Sequence, residues 1–296
     1  MKYPVLLPNI FDHPFTYLSN IKLKPGDYVK VPFGKKNIIG VIWDIFEEKN
    51  KKEFKLKSIT EKIEIEPLSK NTINFLKWFS NYNLVPLGMC LKLHLINDEN
   101  LKIKNDKDLL KYDISNEKKI YQLSEEQNNA YKELSKYDSG FRVHLLQGTT
   151  GSGKTIVYFK AIEKILNIGS QALILLPEIG LTNEFEKKFK SYFGFEAAVW
   201  HSKVSPKKRK IIWNGLSSGR IKVAIGARSS LFLPFKKLGL ITVDEEHDQS
   251  YKQDEGIIYN ARDMAISRAK HENIPINLVT AVPSIETYEN IKIKKY

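Results

Sequence analysis

The apolar and polar positions divide the chain into two parts with different patterns. The amino-terminal part begins with short apolar runs that are broken by turn signals at Pro25-Gly26 and Phe33-Gly34. From Leu123 onward, short apolar runs alternate with helical periodicity. That alternation is typical of a mostly parallel sheet with helices on both faces. The pattern therefore predicts a small β-rich domain followed by an α/β domain.

The domain bounds follow from the change in pattern. Residues 103–119 are polar and charged and have no sustained period, so they are expected to form a linker. The β-rich domain is then residues 1–102, and the α/β domain is residues 120–296. Because ligands gather at the carboxyl ends of strands in open α/β sheets, the loops at those ends of the second domain are the candidate site.

Individual elements are predicted from the same periodicities. In the first domain, strands are expected in YPVLLP, DYVKVPF and IIGVIWDIF, and a helix over Ser69–Asn81 with Ser69 or Asn71 as its cap. The predicted strands of the second domain are 143–147, 172–176, 197–200, 222–225, 240–243 and 276–280. Its predicted helices are 156–168, 182–193, 207–216 and 261–271.

A glycine-rich turn follows the predicted strand at 143–147, in the sequence VHLLQGTTGSGKT. The spacing G-x-x-x-x-G-K-T between a strand and a helix predicts a phosphate-binding loop, whose backbone N–H groups and helix start surround oxyanions. Lys154 would reach the β- and γ-phosphates, and the Thr155 hydroxyl would bind Mg²⁺. A chance glycine-rich turn explains this combination less well. The predicted nucleotide contacts are Gly148, Thr149, Thr150, Gly151, Ser152, Gly153, Lys154 and Thr155.

Gln127 lies a short distance before this loop and has two interpretations. Ser124 and Gln127 have the spacing of a capping box, in which each side chain bonds the backbone N–H of the other residue. Gln127 is also placed where its amide could contact an adenine edge. The sequence leaves both roles open, and Gln127 is kept as a candidate cofactor contact.

The segment LITVDEEHDQS places acidic residues directly after an apolar run. Asp244 is suited to Mg²⁺, Glu245 to polarising the water that attacks the γ-phosphate, and His247 to sensing that phosphate. An acidic cluster after a strand can also simply start a helix. Because phosphoryl transfer requires both a carboxylate-held cation and a positioned base, the phosphate-binding loop favours the catalytic interpretation. The predicted catalytic residues are Lys154, Asp244, Glu245 and His247, with Thr155 and Asp244 at the metal.

Composition narrows the class of protein. The 296 residues contain 47 Lys+Arg and 34 Asp+Glu, giving a net charge of +13, which either a polyanionic partner or a lysine-rich composition explains. Cys90 is the only cysteine, so no disulfide framework and no cysteine-based zinc site is expected. No apolar run reaches the ~18 residues of a membrane span, and no signal peptide is evident. We therefore expect a cytoplasmic protein without membrane contact.

The first domain has a candidate nucleic-acid surface of its own. Lysines cluster in and beside its turns, and aromatic residues lie among them. Basic side chains next to rings suit a single DNA strand or a strand end. A solvated sheet edge over core aromatic residues is the other interpretation. The lysines are Lys22, Lys24, Lys30, Lys35 and Lys36, and the aromatic residues are Tyr28 and Phe33.

Longer motifs resemble those of the PriA family of replication-restart DNA helicases, in superfamily 2. In the second domain they are GTTGSGKT at 148–155, LLPEIGLT at 175–182, HSKVSPKKR at 201–209, IGARSSLFLPF at 225–235, GLITVDEEHDQSYKQDEG at 239–256 and YNARDMAISRA at 259–269. In the first domain, PGDYVKVPFGKKNIIGVI and WFSNYNLVPLG resemble that family's domain for the 3′ end of a DNA strand. The similarity covers nearly the whole chain, and its most specific part runs from DEEH to SYKQ.

The resemblance implies a RecA-like P-loop NTPase lobe preceded by a small β-rich DNA-binding domain, with ATP and Mg²⁺ as cofactors. It implies single-stranded and forked DNA as ligands, 3′-to-5′ strand separation, replication-restart proteins and single-strand-binding protein as partners, and a monomer. Pro177–Thr182 and Gly226–Leu231 would line a track for single-stranded DNA, and Tyr251–Gln253 would couple DNA contact to hydrolysis. A surface salt bridge is the alternative role for Arg228. The implied DNA contacts are Phe15, Thr16, Tyr17, Lys35, Lys36, Arg228, Ser229 and Lys252.

Three motifs depart from the family pattern. The Phe-Asp-Tyr triplet of the 3′-end pocket is FTY at 15–17, which replaces a carboxylate by a hydroxyl. The Ser-Ala-Thr-Pro coupling motif is TAVP at 280–283, which keeps the first hydroxyl and loses the second. Asn260 stands where the family usually has His.

The resemblance also implies parts that these residues do not include: a winged-helix domain between the two halves, a second motor lobe with an arginine finger, a zinc-binding insertion and a carboxyl-terminal domain. Since an arginine finger supplies about 10³–10⁵ of rate in related enzymes, the first lobe alone is expected to hydrolyse ATP slowly. Two hypotheses follow. The chain is an amino-terminal portion or short form of a replication-restart helicase, or it is a nucleotide-responsive DNA-binding module without useful ATPase activity.

Overall fold

The computed structural model describes residues 1–44, 56–96, 101, 106–113, 118–136, 139–177, 182–293 and 295. Within these ranges the chain forms an antiparallel sheet with two helices, followed by a parallel sheet with helices on both sides. The predicted fold class, a small β-rich domain before an α/β lobe, is confirmed. No helix in this described part of the chain is long and apolar enough to cross a membrane.

The amino-terminal sheet has five antiparallel strands. They are β1 (Lys2–Leu6), β2 (Phe15–Leu18), β3 (Tyr28–Phe33), β4 (Lys36–Ile42) and β5 (Glu61–Lys62). Their spatial order is β2-β1-β4-β3-β5. A two-residue turn joins β3 to β4, and Gly34 adopts a φ of +61° there, a conformation that favours glycine. At the other predicted turn, a Cβ on Gly26 would lie 2.2 Å from the carbonyl oxygen of Leu68, so only glycine fits.

The second sheet has six parallel strands in the order β6-β13-β10-β7-β9-β8. They are β6 (Arg142–Gln147), β7 (Gln171–Leu175), β8 (Ala198–Trp200), β9 (Val223–Gly226), β10 (Leu238–Asp244) and β13 (Pro275–Thr280), with a small hairpin of β11 (Lys252–Gln253) and β12 (Tyr259–Asn260) between them in sequence. Each of the six strands lies within two residues of its predicted bounds. Because all six are parallel, their carboxyl ends meet at one edge, where the predicted loops lie.

The helices complete both parts. They are α1 (Lys70–Asn83), α2 (Leu87–His94), α3 (Glu125–Leu134), α4 (Lys154–Asn167), α5 (Asn183–Phe193), α6 (Pro206–Ser217), α7 (Ala261–Glu272) and α8 (Ile285–Lys292), with 3₁₀ helices at Asp106–Tyr112, Arg228–Phe232 and Gln249–Tyr251. The Ser69 hydroxyl accepts a hydrogen bond from the Thr72 N–H at 3.0 Å, which confirms Ser69 as the cap of α1. The sequence patterns did not predict β2, α2 or α8.

The β-rich part and the α/β lobe share a continuous buried core. Phe232 of the lobe packs against two rings of α1, with centroids 6.0 Å from Phe75 and 5.1 Å from Phe79. On the other side of the junction, the rings of Tyr28 in β3 and Trp213 in α6 meet edge to face at 5.5 Å. These contacts join the two parts into one packed body.

The predicted linker at 103–119 is only partly among the described residues. Its described part forms the 3₁₀ helix Asp106–Tyr112, in which Leu109 and Tyr112 are each 2% exposed. The Lys111 carbonyl also accepts a hydrogen bond from the Glu196 N–H at 3.3 Å. This piece therefore packs on the lobe, because two of its apolar side chains enter the core.

Candidate nucleotide and nucleic-acid site

The phosphate-binding loop lies between β6 and α4, as predicted. Gly151 and Gly153 both have a φ of +82°, and Gly153 precedes the first residue of α4 in a left-handed conformation. A Cβ on Gly153 would lie 2.5 Å from the side-chain amide nitrogen of Gln127, and the positive φ of this residue favours glycine. The positive end of a 14-residue helix therefore faces this glycine-rich turn.

Lys154 folds back over this loop. Its Nζ donates to the carbonyl oxygens of Gly148 at 2.7 Å and Thr149 at 3.1 Å. The amine is therefore held at the centre of the turn, where it can meet a phosphate oxygen without a large movement of the chain.

Gln127 performs the capping role and also contacts the loop. Its Oε1 accepts from the Ser124 N–H at 3.0 Å, while the Ser124 hydroxyl accepts from the Gln127 N–H at 3.2 Å. The Nε2 group donates to the Ser152 carbonyl at 2.9 Å. These bonds use one of the two amide hydrogens and one of the two oxygen lone pairs. Contact with an adenine edge stays a prediction.

Asp244 ends β10 at the same edge of the sheet. Its Oδ2 accepts from the Tyr158 hydroxyl at 2.9 Å, and its Oδ1 accepts from the Glu245 N–H at 3.0 Å. Burial raises the pKa of the Asp244 carboxyl, and the Tyr158 hydrogen bond opposes that rise. The Tyr251 hydroxyl donates to the main-chain oxygens of Asp244 and Leu175, at 2.5 and 3.0 Å.

Tyr158 is a site residue that the sequence interpretation missed. It lies in α4 three residues after Thr155, a spacing that places both side chains on one helix face. Its ring is fully buried, so the hydroxyl requires a partner, and the carboxylate of Asp244 is that partner. The helical spacing after the phosphate-binding loop was the signal that could have identified it.

The residues of this edge fit a nucleoside triphosphate with Mg²⁺. A Cβ at Gly151 would meet nothing within 4 Å, and Lys154 supplies a cation beside the turn. The Thr155 hydroxyl and the Asp244 carboxylate are hard oxygen donors of the kind that Mg²⁺ prefers. The predicted metal ligands therefore have suitable chemistry.

Glu245 and His247 lie in a turn after β10, and Asp248 then caps the 3₁₀ helix Gln249–Tyr251, so the acidic segment also leads into a helix of a single turn. Glu245 has a φ of +47°, which is unusual for a residue with a side chain, and its side chain is 44% exposed. His247 Nδ1 lies 3.7 Å from the Glu245 carboxylate and 2.7 Å from the Thr280 hydroxyl oxygen. Because that hydroxyl donates to the Val282 carbonyl at 2.8 Å, Nδ1 of His247 carries the proton.

Glu246, between these two residues, was also missed. Its side chain is fully buried and accepts hydrogen bonds from the Ser284 N–H at 2.7 Å and the Thr287 hydroxyl at 2.9 Å. Arg262 lies 3.3 Å away as a charged partner. A glutamate within a run of charged residues such as Asp244–His247 is usually exposed to solvent. The burial of Glu246 could therefore not be predicted from the sequence.

The candidate DNA-track residues surround the start of the second 3₁₀ helix. Arg228 donates to the Lys252 carbonyl at 2.6 Å, while the Lys252 amine pairs with Asp254 at 3.1 Å. Ser229 is exposed beside them. Within the other predicted track segment, 177–182, residues 178–181 lie outside the described residues, and Thr182 caps α5.

The amino-terminal candidates separate into exposed and buried groups. Lys35 and Lys36 are exposed at the β3–β4 turn, and Phe15 and Thr16 are half-buried in β2. Tyr17 is only 4% exposed, and its hydroxyl donates to the Pro32 carbonyl at 3.2 Å. Its ring therefore lies in the core of the small sheet, which corrects the expectation that it contacts DNA directly.

Two aromatic residues of the predicted basic surface also differ from each other. Phe33 is half-buried, and its ring lies 5.4 Å from that of Phe15 at the sheet surface. Tyr28 is 1% exposed and faces the lobe, so for this residue the core interpretation is correct.

Two family models match the chain in consecutive segments. The PriA model described as a 3′ DNA-binding domain matches residues 4–95. The model described as a DEAD/DEAH box helicase matches residues 124–291. The two matches coincide with the β-rich part and the α/β lobe.

Curated proteins named Replication restart protein PriA are similar over most of the chain. The protein of Rickettsia conorii is 42% identical in an alignment 298 residues long that covers 99% of this chain and 44% of the relative. That of Haemophilus influenzae is 31% identical in a gapped alignment 368 residues long that covers 99% of this chain and 50% of the relative. The chain therefore spans about half the length of the curated relatives it matches.

Solved helicase structures resemble the lobe more distantly. The DUF1998 helicase MrfA is 18% identical with a TM-score of 0.42, over 60% of this chain and 29% of that one. The UvsW helicase from bacteriophage T4 is 19% identical with a TM-score of 0.39, over 59% and 58% of the two chains.

Proposed function

The chain belongs to the DEAD/DEAH box helicase family, and we propose from this premise that it is the ATP- and DNA-binding portion of a replication-restart helicase. Three specific activities are proposed. The chain binds ATP with Mg²⁺, it binds single-stranded and forked DNA, and hydrolysis is coupled to 3′-to-5′ strand separation in the complete motor.

In the proposed nucleotide site, the backbone N–H groups of the glycine turn and the Lys154 amine hold the β- and γ-phosphates. Thr155 and Asp244 hold Mg²⁺, which neutralises charge that develops on the phosphate oxygens. Glu245, whose side chain is 44% exposed at the end of β10, orients the attacking water.

The observation that carries this proposal is the 2.9 Å hydrogen bond from Tyr158 to Asp244. Tyr158 belongs to the helix that begins at the phosphate-binding loop, and Asp244 ends the central strand β10. The bond joins the phosphate-contacting half of the site directly to the metal-binding half. Both halves are needed for phosphoryl transfer.

Coupling to DNA is assigned to the contact between His247 and Thr280. A γ-phosphate that attracts the His247 ring would alter its 2.7 Å bond to the Thr280 hydroxyl and, through it, the Val282 carbonyl. Val282 lies in the loop that leads into α8, so a change at the phosphate reaches the end of the lobe.

DNA contact is assigned to two places. Arg228, Ser229 and Lys252 contact phosphates of a single strand, and such contacts position a strand without reading its sequence. The hairpin lysines Lys35 and Lys36 contact DNA near a strand end. The match of residues 4–95 to a 3′ DNA-binding domain supports this second assignment.

Steady-state ATP hydrolysis with and without single-stranded DNA tests the proposal. We expect slow turnover that DNA stimulates and that Lys154→Ala abolishes, because Lys154 holds the transferred phosphate. Lys160→Ala, six residues further along α4, is the matched control and should leave turnover unchanged. Tight nucleotide and DNA binding with no DNA-stimulated turnover would instead identify a nucleotide-responsive binding module. DNA affinity that does not fall with salt would exclude both functions, because phosphate contacts release counterions.

A further inference from the structure

The 3₁₀ helix Arg228–Phe232 ends in carbonyl groups that buried side chains from other elements hold. Arg268 of α7 donates to the carbonyl of Leu231 and, at 2.9 Å, to that of Leu233. Arg268 is 0% exposed, and its guanidinium carbon lies 5.4 Å from the ring centroid of Phe235. The end of the 3₁₀ helix is therefore fixed from the side of α7.

His94 holds the carbonyl between these two. Its Nδ1 donates to the Phe232 carbonyl at 2.8 Å, and its Nε2 accepts from the Tyr28 hydroxyl at 2.8 Å. The His94 carbonyl in turn accepts from the Trp213 Nε1 at 3.0 Å. Since a carbonyl oxygen can only accept, the proton lies on Nδ1, and the Tyr28 hydroxyl fixes that tautomer.

These holding groups cross the junction between the two parts of the chain. His94 ends α2 and Tyr28 begins β3, and both precede the lobe in sequence. Phe232 belongs to the lobe, but its ring is 2% exposed and packs against Phe75 and Phe79 of α1. Both the main chain and the side chain of Phe232 are therefore held by the β-rich part.

Few residues separate the carbonyls that Arg268 and His94 hold from the candidate DNA contacts. The Ser230 hydroxyl donates to the Ala227 carbonyl at 2.6 Å, which stiffens the turn that carries Arg228 and Ser229. At the start of the turn, a Cβ on Gly226 would lie 2.5 Å from the Trp200 carbonyl, so the backbone passes close to β8. A shift at Phe232 is therefore transmitted to Arg228, because the residues between them have little freedom.

From these contacts we infer that the β-rich domain positions the DNA track of the lobe, and that His94 is the positioning residue. The inference rests on the proposed function, in which the turn at Arg228 and Ser229 contacts phosphates of single-stranded DNA. His94 itself touches no DNA. His94 fixes the position of the Phe232 carbonyl, at the end of the turn that carries Arg228 and Ser229. DNA affinity depends on the position of that turn.

The test measures affinity of the whole chain for two probes, a fluorescein-labelled oligothymidylate and a fluorescent ATP analogue. His94→Leu removes the donor to the Phe232 carbonyl, and we expect the DNA Kd to rise about 10-fold, the effect of one buried hydrogen bond. The same substitution should change the nucleotide Kd by less than about 2-fold. His94→Asn, whose amide nitrogen can occupy the place of Nδ1, should return the DNA Kd to within about 3-fold of the unmodified chain.

A purely structural role for His94 predicts a different result. Phe193→Leu, at the buried end of α5 and away from the junction, is the control for lost stability alone and should lower Tm without a change in DNA Kd. If His94→Leu likewise lowers Tm and leaves the DNA Kd unchanged, the inference is overturned. If His94→Leu does not fold, His94→Gln replaces it, because a Gln amide occupies the place of Nε2 beside Tyr28 and leaves the Phe232 carbonyl without its donor; an unchanged DNA Kd for that variant overturns the inference equally. Absence of salt-dependent DNA binding by the unmodified chain would instead remove the proposed function.

Discussion

The main-chain N–H of Ser284 donates to the buried carboxylate of Glu246 at 2.7 Å. The same carboxylate faces Arg262 and accepts from Thr287, so it joins the turn after β10 to the first turn of α8. Both neighbours of Glu246 are candidate catalytic residues. Their placement therefore depends on a side chain that cannot itself reach the nucleotide.

We expect Glu246→Ala to lower the free energy of unfolding by about 2–4 kcal/mol, because it leaves the Ser284 N–H and the Thr287 hydroxyl without their acceptor and leaves Arg262 with Asp263 as its remaining carboxylate partner. Urea denaturation followed by circular dichroism measures this. Glu286→Ala, an exposed glutamate in the first turn of α8, is the matched control and should cost less than about 1 kcal/mol. Similar losses for both substitutions would show that the buried ion pair contributes little.

Tyr158→Phe removes only the hydroxyl that orients Asp244. We expect the Mg²⁺ concentration for half-maximal nucleotide binding to rise about 10-fold, since groups that hold a metal ligand affect metal affinity to that degree. Titration of Mg²⁺ against a fluorescent ATP analogue measures the shift. Tyr192→Phe removes another buried tyrosine hydroxyl, distant from Asp244, and should leave the Mg²⁺ requirement unchanged. A lower Tm with an unchanged requirement in Tyr158→Phe would contradict the prediction.

His94 makes stability depend on pH. Burial lowers the pKa of His94 to about 4, and the nearby Arg268 acts in the same direction. In the unfolded chain the ordinary pKa is about 6.5, so below that pH the unfolded state binds more protons and stability falls. The contribution is complete above pH ~6.5 and is lost as the pH falls toward 4. By pH 5 the loss amounts to about 2 kcal/mol.

Urea denaturation at pH 7 and pH 5 measures this loss. Carboxylates also titrate in that range, so the informative quantity is the pH effect in the unmodified chain minus that in His94→Asn. We expect the unmodified chain to lose about 2 kcal/mol more unfolding free energy between pH 7 and pH 5 than His94→Asn does. Equal pH effects in the two proteins would show that His94 is not buried in the neutral form.

Lys35→Ala together with Lys36→Ala should weaken binding to single-stranded DNA and reduce its salt dependence. Loss of two phosphate contacts lowers the slope of log K against log salt concentration by about 1.4. Fluorescence anisotropy over a series of salt concentrations measures the slope. Lys132→Ala with Lys187→Ala, two exposed lysines of α3 and α5, is the charge-matched control. An equal slope change in the control pair would indicate general electrostatic attraction instead of contact by the hairpin.

The sequence predicted most of the lobe because its parallel strands are buried on both faces and read as apolar runs. The glycine turn and Asp244 could also be predicted, since the rule of strand ends brings both to one edge. By contrast, β2 was missed, because a short strand such as Phe15–Leu18 has too few residues to show a period. The helix α2 was missed because it follows Pro86 closely and contains glycine.

The failures at the site have a different cause. Tyr158, Glu246 and Tyr17 were misjudged or missed because their roles depend on which partner each meets across the fold. A tyrosine at an apolar helical position is predicted to be a core residue, and a glutamate among charged residues is predicted to be exposed. Only tertiary packing gives the first a carboxylate to hold and the second a buried arginine.

The shared core at Phe75, Phe79 and Phe232 fixes the spacing between the hairpin lysines and the DNA-track turn. A packed interior resists compression and sliding, so we expect this spacing to change little when nucleotide binds. The β-rich part then fixes the distance between the hairpin and the lobe. A DNA strand end that was bound at the hairpin would stay at a constant distance from Arg228. Any DNA that the motor pulled in would have to form a loop between these two contacts.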